Sequence, residues 1–184
     1  MAGHRRAKRR LLQRLCPVMT VPFAPLGPPV DASPVSRPER ATLVGRFMRL
    51  EPLSDAHTAD LFAAVAQPTD AELWTYMGDG PFASREAFAE NIARKSASTD
   101  PLFFALADLR TGRARGHAAL MRIDSANRVV EVGNIMYGRA LQRTPAATEA
   151  IFLLARHVFD DLGYRRFEWK CNDLNAPSKN AALR

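Results

Sequence analysis

The stretch from Glu131 to Ala150, EVGNIMYGRALQRTPAATEA, constrains the fold more than any other part of the chain. It begins as a β-strand, continues as a short loop of small and basic residues, and ends as the first turns of an amphipathic helix. A strand that leads into a helix N-terminus is a common way to hold a phosphate, because unpaired N–H groups and the helix dipole point at the anion. We therefore expect an anion site here, although a capped helix start without a ligand explains the same residues.

The segments around this stretch predict a mixed sheet. Three apolar segments with turn residues between them cover residues 102–109, 114–123 and 129–137. Short connections of this kind predict an antiparallel meander. A helix from Pro145 to Leu162, ended by Gly163, then leads to a half-exposed strand over 164–171. That connection predicts that the strands on either side of the helix are parallel.

The remaining elements complete the predicted order. We expect one strand from Leu43 to Leu53, a helix from Ser54 or Asp55 to about Gln67, an irregular aromatic loop over 68–83, a second helix over 85–98 capped by Ser84, and a last helix that opens at Pro177. The fold class is therefore α/β, with a mixed sheet in the order β-α-α-β-β-β-α-β-α. Residues 42–184 form the predicted domain.

Most of the net charge of +7 comes from the N-terminal extension, residues 1–41. Residues 1–40 hold eight of the 26 basic residues against two acidic ones, so the domain itself is close to neutral. Residues 1–15 fit a nucleic-acid arm, a membrane-surface helix or a targeting segment, but we favour a disordered extension. Seven prolines in 17–40 predict an extended linker that lies against the domain.

Composition narrows the class of protein further. No apolar run approaches the roughly 18 residues that span a bilayer, so we expect no membrane partner. Cys16 and Cys171 show no metal-ligand spacing, which favours a reducing cytoplasm and no metal site. A high pI that arises in a tail makes nucleic acid an improbable partner of the domain.

The order of elements and two blocks of sequence resemble the GCN5-related N-acetyltransferase (GNAT) superfamily, in the branch that includes ribosomal-protein N-acetyltransferases. The blocks are Glu131–Ala150 and DLGYRRFEWKCNDLNAPSKNAA. The resemblance implies an acyl-CoA N-acyltransferase-like fold and transfer of an acetyl group from acetyl-CoA to a primary amine, on a small molecule or a protein N-terminus. Relative to the family the last two strands are missing, so we expect a truncated domain with an exposed edge that self-associates, for instance as a homodimer.

The resemblance also implies where acetyl-CoA binds. The pantetheine arm would lie along the strand end, and the family's phosphate loop falls on residues 142–147. The implied cofactor-binding residues are Ile135, Met136, Tyr137, Gln142, Arg143, Thr144, Ala146, Ala147 and Asn175. Pro145 stands where the family has glycine, which removes one N–H from the loop. Proline suits the first position of a helix, so the helix start survives this change.

Glu131 and Ser178 are the catalytic candidates that the resemblance implies. Glu131 would take a proton from the amine, sometimes through water, and Ser178 would donate a proton to the leaving sulfur. Each residue also has a structural explanation: Glu131 as a polar residue at a strand start, and Asn175 and Ser178 as the cap and first turn of the last helix.

Several other side chains have structural explanations that we favour. The aromatic residues Trp74, Tyr76 and Tyr137 fit an acceptor pocket, but core or rim positions explain them better. The histidines at 57, 117 and 157 are scattered and predict no metal site. Glu149, near the start of the helix, is expected to complement the helix dipole.

A second class of function remains open from the sequence. The chain also fits a non-catalytic or vestigial CoA-binding module whose basic arm contacts nucleic acid or the ribosome. Deletion of residues 1–18 distinguishes this binding function from acetyl transfer. Binding through the arm should depend steeply on salt and should be lost with the deletion.

Overall fold

A computed structural model describes residues 27–184, and contacts divide the chain into two compact units, Met1–Asp31 and Ala32–Arg184. Residues 27–31 of the first unit form no helix or strand. The basic segment 1–15 lies outside the described residues. The strands of the second unit are β1 (Leu43–Val44), β2 (Met48–Pro52), β3 (Leu102–Asp108), β4 (Ala114–Asp124), β5 (Val129–Tyr137) and β6 (Arg166–Trp169). Its α-helices are α1 (Thr58–Val65), α2 (Arg85–Ala97), α3 (Pro145–Arg156, extended by a π turn, His157–Asp161) and α4 (Ala176–Ala182).

The strands form one mixed sheet in the order β1-β2-β3-β4-β5-β6. Neighbouring strands from β1 to β5 are antiparallel, which confirms the meander. β5 and β6 are parallel, with Val130 opposite Phe167, as expected for strands joined through α3. The predicted α/β class is confirmed. Self-association through the β6 edge stays a prediction.

Local capping residues explain where the helices begin and end. The Ser84 hydroxyl accepts a hydrogen bond from the Ala87 amide at the start of α2, and Thr144 does the same for Ala147 at the start of α3. Gly163 follows the π turn with a φ of +72°, a left-handed conformation that glycine adopts without steric cost.

The sheet is buried on both faces because helices cover both. Within β3, Leu102, Phe104 and Leu106 pack towards α3, whereas Phe103 and Ala105 pack towards α1 and α2. Burial of alternate residues on opposite faces explains why this strand is a continuous apolar run. The α3 face holds Ala150, Leu153, Leu154 and Val158, and the other face holds Leu61, Val65, Trp74, Phe88 and Ile92.

Residues 32–41 lie against this domain in an extended conformation. The Val35 amide donates to the Ser125 carbonyl at 3.1 Å, and Arg37 forms an ion pair with Asp100 at 3.3 Å. Arg40 donates to the Ser98 carbonyl at 2.9 Å. These contacts attach the proline-containing stretch to the second unit.

Two predicted elements differ from the structure. Residues 43–53 form the β1–β2 hairpin rather than one strand, because the chain turns at Gly45–Phe47. The 68–83 loop is not irregular throughout, since Pro68–Trp74 is a 3₁₀ helix that starts with proline. The Asp70 carboxylate accepts the Gln67 amide at 3.2 Å, which caps this helix.

Glu149 explains the β1–β2 turn and corrects its expected role. It lies beyond the first turn of α3, so it does not act mainly on the helix dipole. Its carboxylate accepts hydrogen bonds from the amides of Arg46 (2.7 Å), Phe47 (2.7 Å) and Met48 (2.8 Å). Burial alone would raise the pKa of Glu149, but these three amides hold it below its ordinary value. A helix side chain thereby holds the first hairpin of the sheet.

Replacement of Glu149 by alanine should destabilise the domain by about 2 kcal/mol, because three amides lose a charged acceptor in a partly exposed site. The measurement is urea denaturation at pH 7. Thr148→Ala, an exposed neighbour on α3, is the control and should change stability by under about 0.5 kcal/mol. A Glu149→Ala protein as stable as this control would contradict the role.

The same carboxylate predicts a pH dependence. A carboxyl whose pKa is lower in the folded state stabilises the fold above its unfolded pKa, and that stability is lost as the pH falls through the folded value. The stability difference between wild type and Glu149→Gln should therefore be full at pH 7 and shrink below the ordinary glutamate value of 4.5. A difference that stays constant down to pH 3 would show that the charge is not involved.

Candidate active site

A β-bulge in β5 organises the candidate site. Residues Asn134 and Ile135 together oppose Ala118 of β4, and Asn134 has a left-handed φ of +49°. The extra residue reverses the alternation of side chains. Val130 and Val132 lie on the α3 face before the bulge, and Ile135 and Tyr137 lie on that face after it.

Close backbone approach beside the bulge requires glycine on β4. A Cβ at Gly116 would come within 2.2 Å of the Met136 carbonyl oxygen. Real Cβ atoms do not approach backbone this closely, so a larger residue would push β4 and β5 apart. Gly116 therefore fixes the spacing of the two strands where the predicted cofactor strand ends.

Glu131 is buried on the α1/α2 face, with 4% of its surface exposed. One carboxylate oxygen, Oε2, accepts hydrogen bonds from Arg122 Nη1 at 2.6 Å and from Lys170 Nζ at 2.7 Å. Glu168 lies directly opposite on β6 and bonds the same lysine at 2.6 Å. Hydrogen bonds to Glu131 first, and to Glu168 second, raise the pKa of Lys170. Arg122 and Lys170 thus neutralise the charge of Glu131 next to the place where the pairing of β5 with β6 ends.

The loop before α3 presents unpaired backbone N–H groups. The amides of Leu141 and Gln142 donate to the Gly138 carbonyl, which closes a tight turn. Arg143 then adopts a left-handed φ of +59°. The N–H groups at positions 143, 144 and 146 have no hydrogen-bond acceptor among residues 27–184. Such a set at a helix N-terminus fits an anionic phosphate group.

Two details of this loop differ from expectation. The Ala147 amide is already bonded to the Thr144 hydroxyl at 3.2 Å, so it is a helix cap rather than a spare donor. The Gln142 side chain donates to the Tyr137 carbonyl at 3.0 Å and braces the loop. The Arg143 side chain is exposed beside the free amides. The residues present therefore fit a pyrophosphate, with Pro145 leaving one donor fewer.

Ser178 and Asn175 lie at the start of α4. The Asn175 side chain caps the helix by accepting the Ser178 amide at 3.1 Å, which is the structural role considered for it. The Ser178 hydroxyl oxygen accepts a hydrogen bond from Trp169 Nε1 of β6 at 2.9 Å. Since the indole is only a donor, the hydroxyl proton of Ser178 remains free to point elsewhere.

The three aromatic candidates do not form one pocket. Trp74 is buried in the α1/α2 core, where its indole donates to the Val65 carbonyl at 2.8 Å. Tyr76 is nearly half exposed, and its hydroxyl donates to the Leu174 carbonyl at 3.0 Å. Tyr137 lies on the α3 face, donates to the Ala147 carbonyl at 3.1 Å, and has a pKa raised by burial.

Two interactions had no signal in the sequence. Arg139, just after β5, binds Asp70, Glu72 and the Thr69 carbonyl, which ties the 3₁₀ helix to the phosphate loop. A buried group formed by Asp79, Lys95 and His117 lies behind the bulge. Its members come from a loop, a helix and a strand, so no spacing pattern predicts that they meet.

Within residues 27–184, no group of three or more His, Cys, Asp or Glu side chains is arranged to hold a metal ion. His57 bonds Glu51 at 3.0 Å and His157 bonds Asp161 at 2.7 Å, so each serves a local contact. None of the helices in the described part of the chain is long and apolar enough to cross a membrane.

Known proteins share both the sequence and the fold. Residues 48–184 match the acetyltransferase (GNAT) domain. The structure is similar to that of a GCN5-related N-acetyltransferase from Brucella melitensis, with a TM-score of 0.80 and 46% identity over 82% of this chain and 69% of that one. It is also similar to that of a probable GNAT acetyltransferase from Chromobacterium violaceum ATCC 12472, with a TM-score of 0.78 and 33% identity over 89% of this chain and 82% of that one.

A more distant structure shares the fold alone. It is the microcin C7 self-immunity acetyltransferase MccE in complex with acetyl-CoA and AMP, with a TM-score of 0.64 and 20% identity over 76% of this chain and 77% of that one. A search among curated proteins found no match.

These similarities cover the elements that build the site, from β2 to α4. They confirm the resemblance expressed by the two sequence blocks and the acyl-CoA N-acyltransferase-like fold. The chain therefore belongs to the GCN5-related N-acetyltransferase family.

Proposed function

We propose that this domain transfers the acetyl group of acetyl-CoA to a primary amine, on a small molecule or a protein N-terminus. The observation that carries the proposal is the set of unpaired amides at residues 143, 144 and 146, which follows the bulged strand β5 directly. Acetyl-CoA offers a pyrophosphate to the amides and an amide-containing pantetheine arm to a strand edge. The MccE complex with acetyl-CoA supports this ligand for the shared fold.

Different residues of the chain would bind the cofactor and transfer protons. The free amides and the Arg143 guanidinium hold the pyrophosphate, and residues 135–137 with Asn175 hold the pantetheine arm. The amine nitrogen forms a bond to the thioester carbonyl carbon, and the carbon–sulfur bond breaks. Glu131 accepts the proton that the amine loses, directly or through water. Ser178 donates its hydroxyl proton to the departing sulfur, which leaves as a thiol, and Ser178 regains a proton from solvent when Glu131 releases its own.

The position of Glu131 sets its chemical role. Arg122 and Lys170 both pair with Oε2 of its carboxylate and hold the side chain in place. Burial on the α1/α2 face places it on the side opposite α3.

Acetyl-CoA turnover tests the proposal directly. Full-length protein incubated with acetyl-CoA and a panel of amines and N-terminal peptides should release free CoA thiol in an amine-dependent manner. Calorimetry should also show CoA binding in the absence of an amine. Absence of both binding and turnover would overturn the proposed function, and turnover with peptides alone would assign the acceptor to protein N-termini.

Glu131→Gln should reduce kcat by about 10²–10⁴-fold with little change in the KM for acetyl-CoA, because it removes the base and leaves the cofactor contacts. Glu168→Gln is the matched control, since it removes a carboxylate that binds the same Lys170. Equal effects of both variants on kcat would show that Glu131 is only part of the ion pair.

Pro145→Ala should tighten acetyl-CoA binding by up to about 10-fold, because it returns one N–H to a loop that faces an anion. The KM for S-acetyl-pantetheine, which has no pyrophosphate, is the internal control and should stay unchanged. If both KM values shift together, position 145 does not contact the pyrophosphate.

A further inference from the structure

A chain of buried polar groups connects the 75–82 loop to the bulge of β5. Asp79 Oδ2 lies 2.8 Å from Lys95 Nζ of α2. That nitrogen lies 3.4 Å from His117 Nε2 of β4, and His117 Nδ1 lies 2.9 Å from the Asn134 carbonyl oxygen. The chain crosses the α1/α2 core and ends on the residue that makes the bulge.

These groups are buried to a degree that is unusual for charged side chains. His117 is fully buried and Lys95 is 6% exposed. The ammonium of Lys95 lies 5.3 Å from the ring centre of Phe103 and 5.9 Å from that of Trp74, and these contacts favour a cation. Burial alone would raise the pKa of Asp79, but Lys95 holds it below its ordinary value. Burial lowers the pKa of Lys95, but the bond to Asp79 opposes this shift, so the ammonium group and the partly buried carboxylate stabilise each other as an ion pair.

The pair determines which nitrogen of His117 carries the proton. Burial, together with the charge of Lys95, lowers the pKa of His117 to about 3, so the ring is neutral. An ammonium group is only a donor, hence Nε2 must accept from Lys95. The proton then resides on Nδ1 and is donated to the Asn134 carbonyl. The hydrogen bonds from Lys95 to His117 and from His117 to Asn134 both point towards the bulge.

A purely structural role does not account well for this arrangement. A buried ion pair contributes little net stability, since apolar residues of similar volume are often as stabilising. The hydrogen bond from His117 instead acts on one backbone group, the carbonyl of a non-glycine residue held at positive φ. Asparagine tolerates positive φ better than most residues but less well than glycine, so a hydrogen bond to its carbonyl helps to hold the bulge.

We propose that His117 is a positioning residue that holds the Asn134 bulge, and with it the acetyl-CoA strand, while Lys95 and Asp79 fix its tautomer. This inference rests on the proposed function, because residues 135–137 after the bulge are the ones expected to hold the pantetheine arm. The hydrogen bond to Asn134 keeps those residues in their register with β4. Through Lys95, Asp79 connects the hydrogen bond of His117 to the 75–82 loop.

Two substitutions of His117 test the contacts of its two ring nitrogens separately. His117→Asn keeps a donor near the position of Nδ1, whereas His117→Gln keeps a polar group near Nε2 and loses the bond to the bulge. We expect the KM for acetyl-CoA to rise about 10-fold in H117Q and at most about threefold in H117N, with the KM for the amine unchanged. Equal KM values in both variants would overturn the proposal.

A rescue experiment tests the bulge itself. Glycine adopts positive φ without strain, so Asn134→Gly should make the bulge independent of its hydrogen bond. We expect H117L to raise the KM for acetyl-CoA about 10-fold in the wild-type background and less than threefold in the N134G background. An identical effect of H117L in both backgrounds would contradict a role through Asn134.

A measurement on the ligand-free protein keeps this inference distinct from the proposed function. Nitrogen NMR of the full chain should show His117 as the neutral Nδ1–H tautomer from pH 5 to pH 8, and H117Q should speed amide exchange at residues 134–136. A protein that shows both effects but no acetyl transfer would refute the proposed function alone. The Nε2–H tautomer, or unchanged exchange, would refute the role of His117.

Discussion

The extra residue in β5 is the constraint on which the site depends. Because side chains of a strand alternate between faces, the bulge at Asn134 moves every later residue of β5 to the face opposite the one its spacing predicts. Glu131 and Met136 therefore share the α1/α2 side, and Tyr137 lies on the α3 side. Pairing with β4 resumes after the bulge and continues to Tyr137, where the loop that leads to α3 begins. The bulge therefore sets which residues face each side of the sheet just before the proposed anion site.

Charge is distributed unequally between the two faces of the sheet. The α3 face is packed with aliphatic and aromatic side chains, and unpaired amides lie at the start of α3. The α1/α2 face contains two buried carboxylate–cation groups, one around Glu131 and one around Asp79. Since a buried charge is stable only with a partner and hydrogen bonds, each group limits where its side chains can lie. In the proposed reaction the pyrophosphate would lie at the start of α3 and Glu131 on the opposite face of the sheet.

Local patterns predicted the parts of the fold that depend on neighbouring residues. Ser84, Thr144 and Asn175 cap helices as their spacing indicates, and Gly163 ends α3 as expected. Predictions failed where a distant group decides the outcome. The strand over 43–53 splits because Glu149, about a hundred residues later, binds the turn amides. The Ala147 amide is not a free donor because the Thr144 hydroxyl, as the helix cap, already accepts its hydrogen bond.

The sequence alone determined the class of fold, the parallel pair around α3 and the start of α3 at Thr144 and Pro145, because each follows from hydrophobic period and from Pro, Gly and capping residues within a few positions. Only the tertiary structure decided which side chains meet. Glu131 lies between Arg122 and Lys170, and Lys95 lies between Asp79 and His117, on elements that are distant in the chain. Such contacts depend on strand register and on the single bulge in β5. A shift of one residue leaves the composition and the period of the sequence unchanged but moves every following side chain to the other face of the sheet.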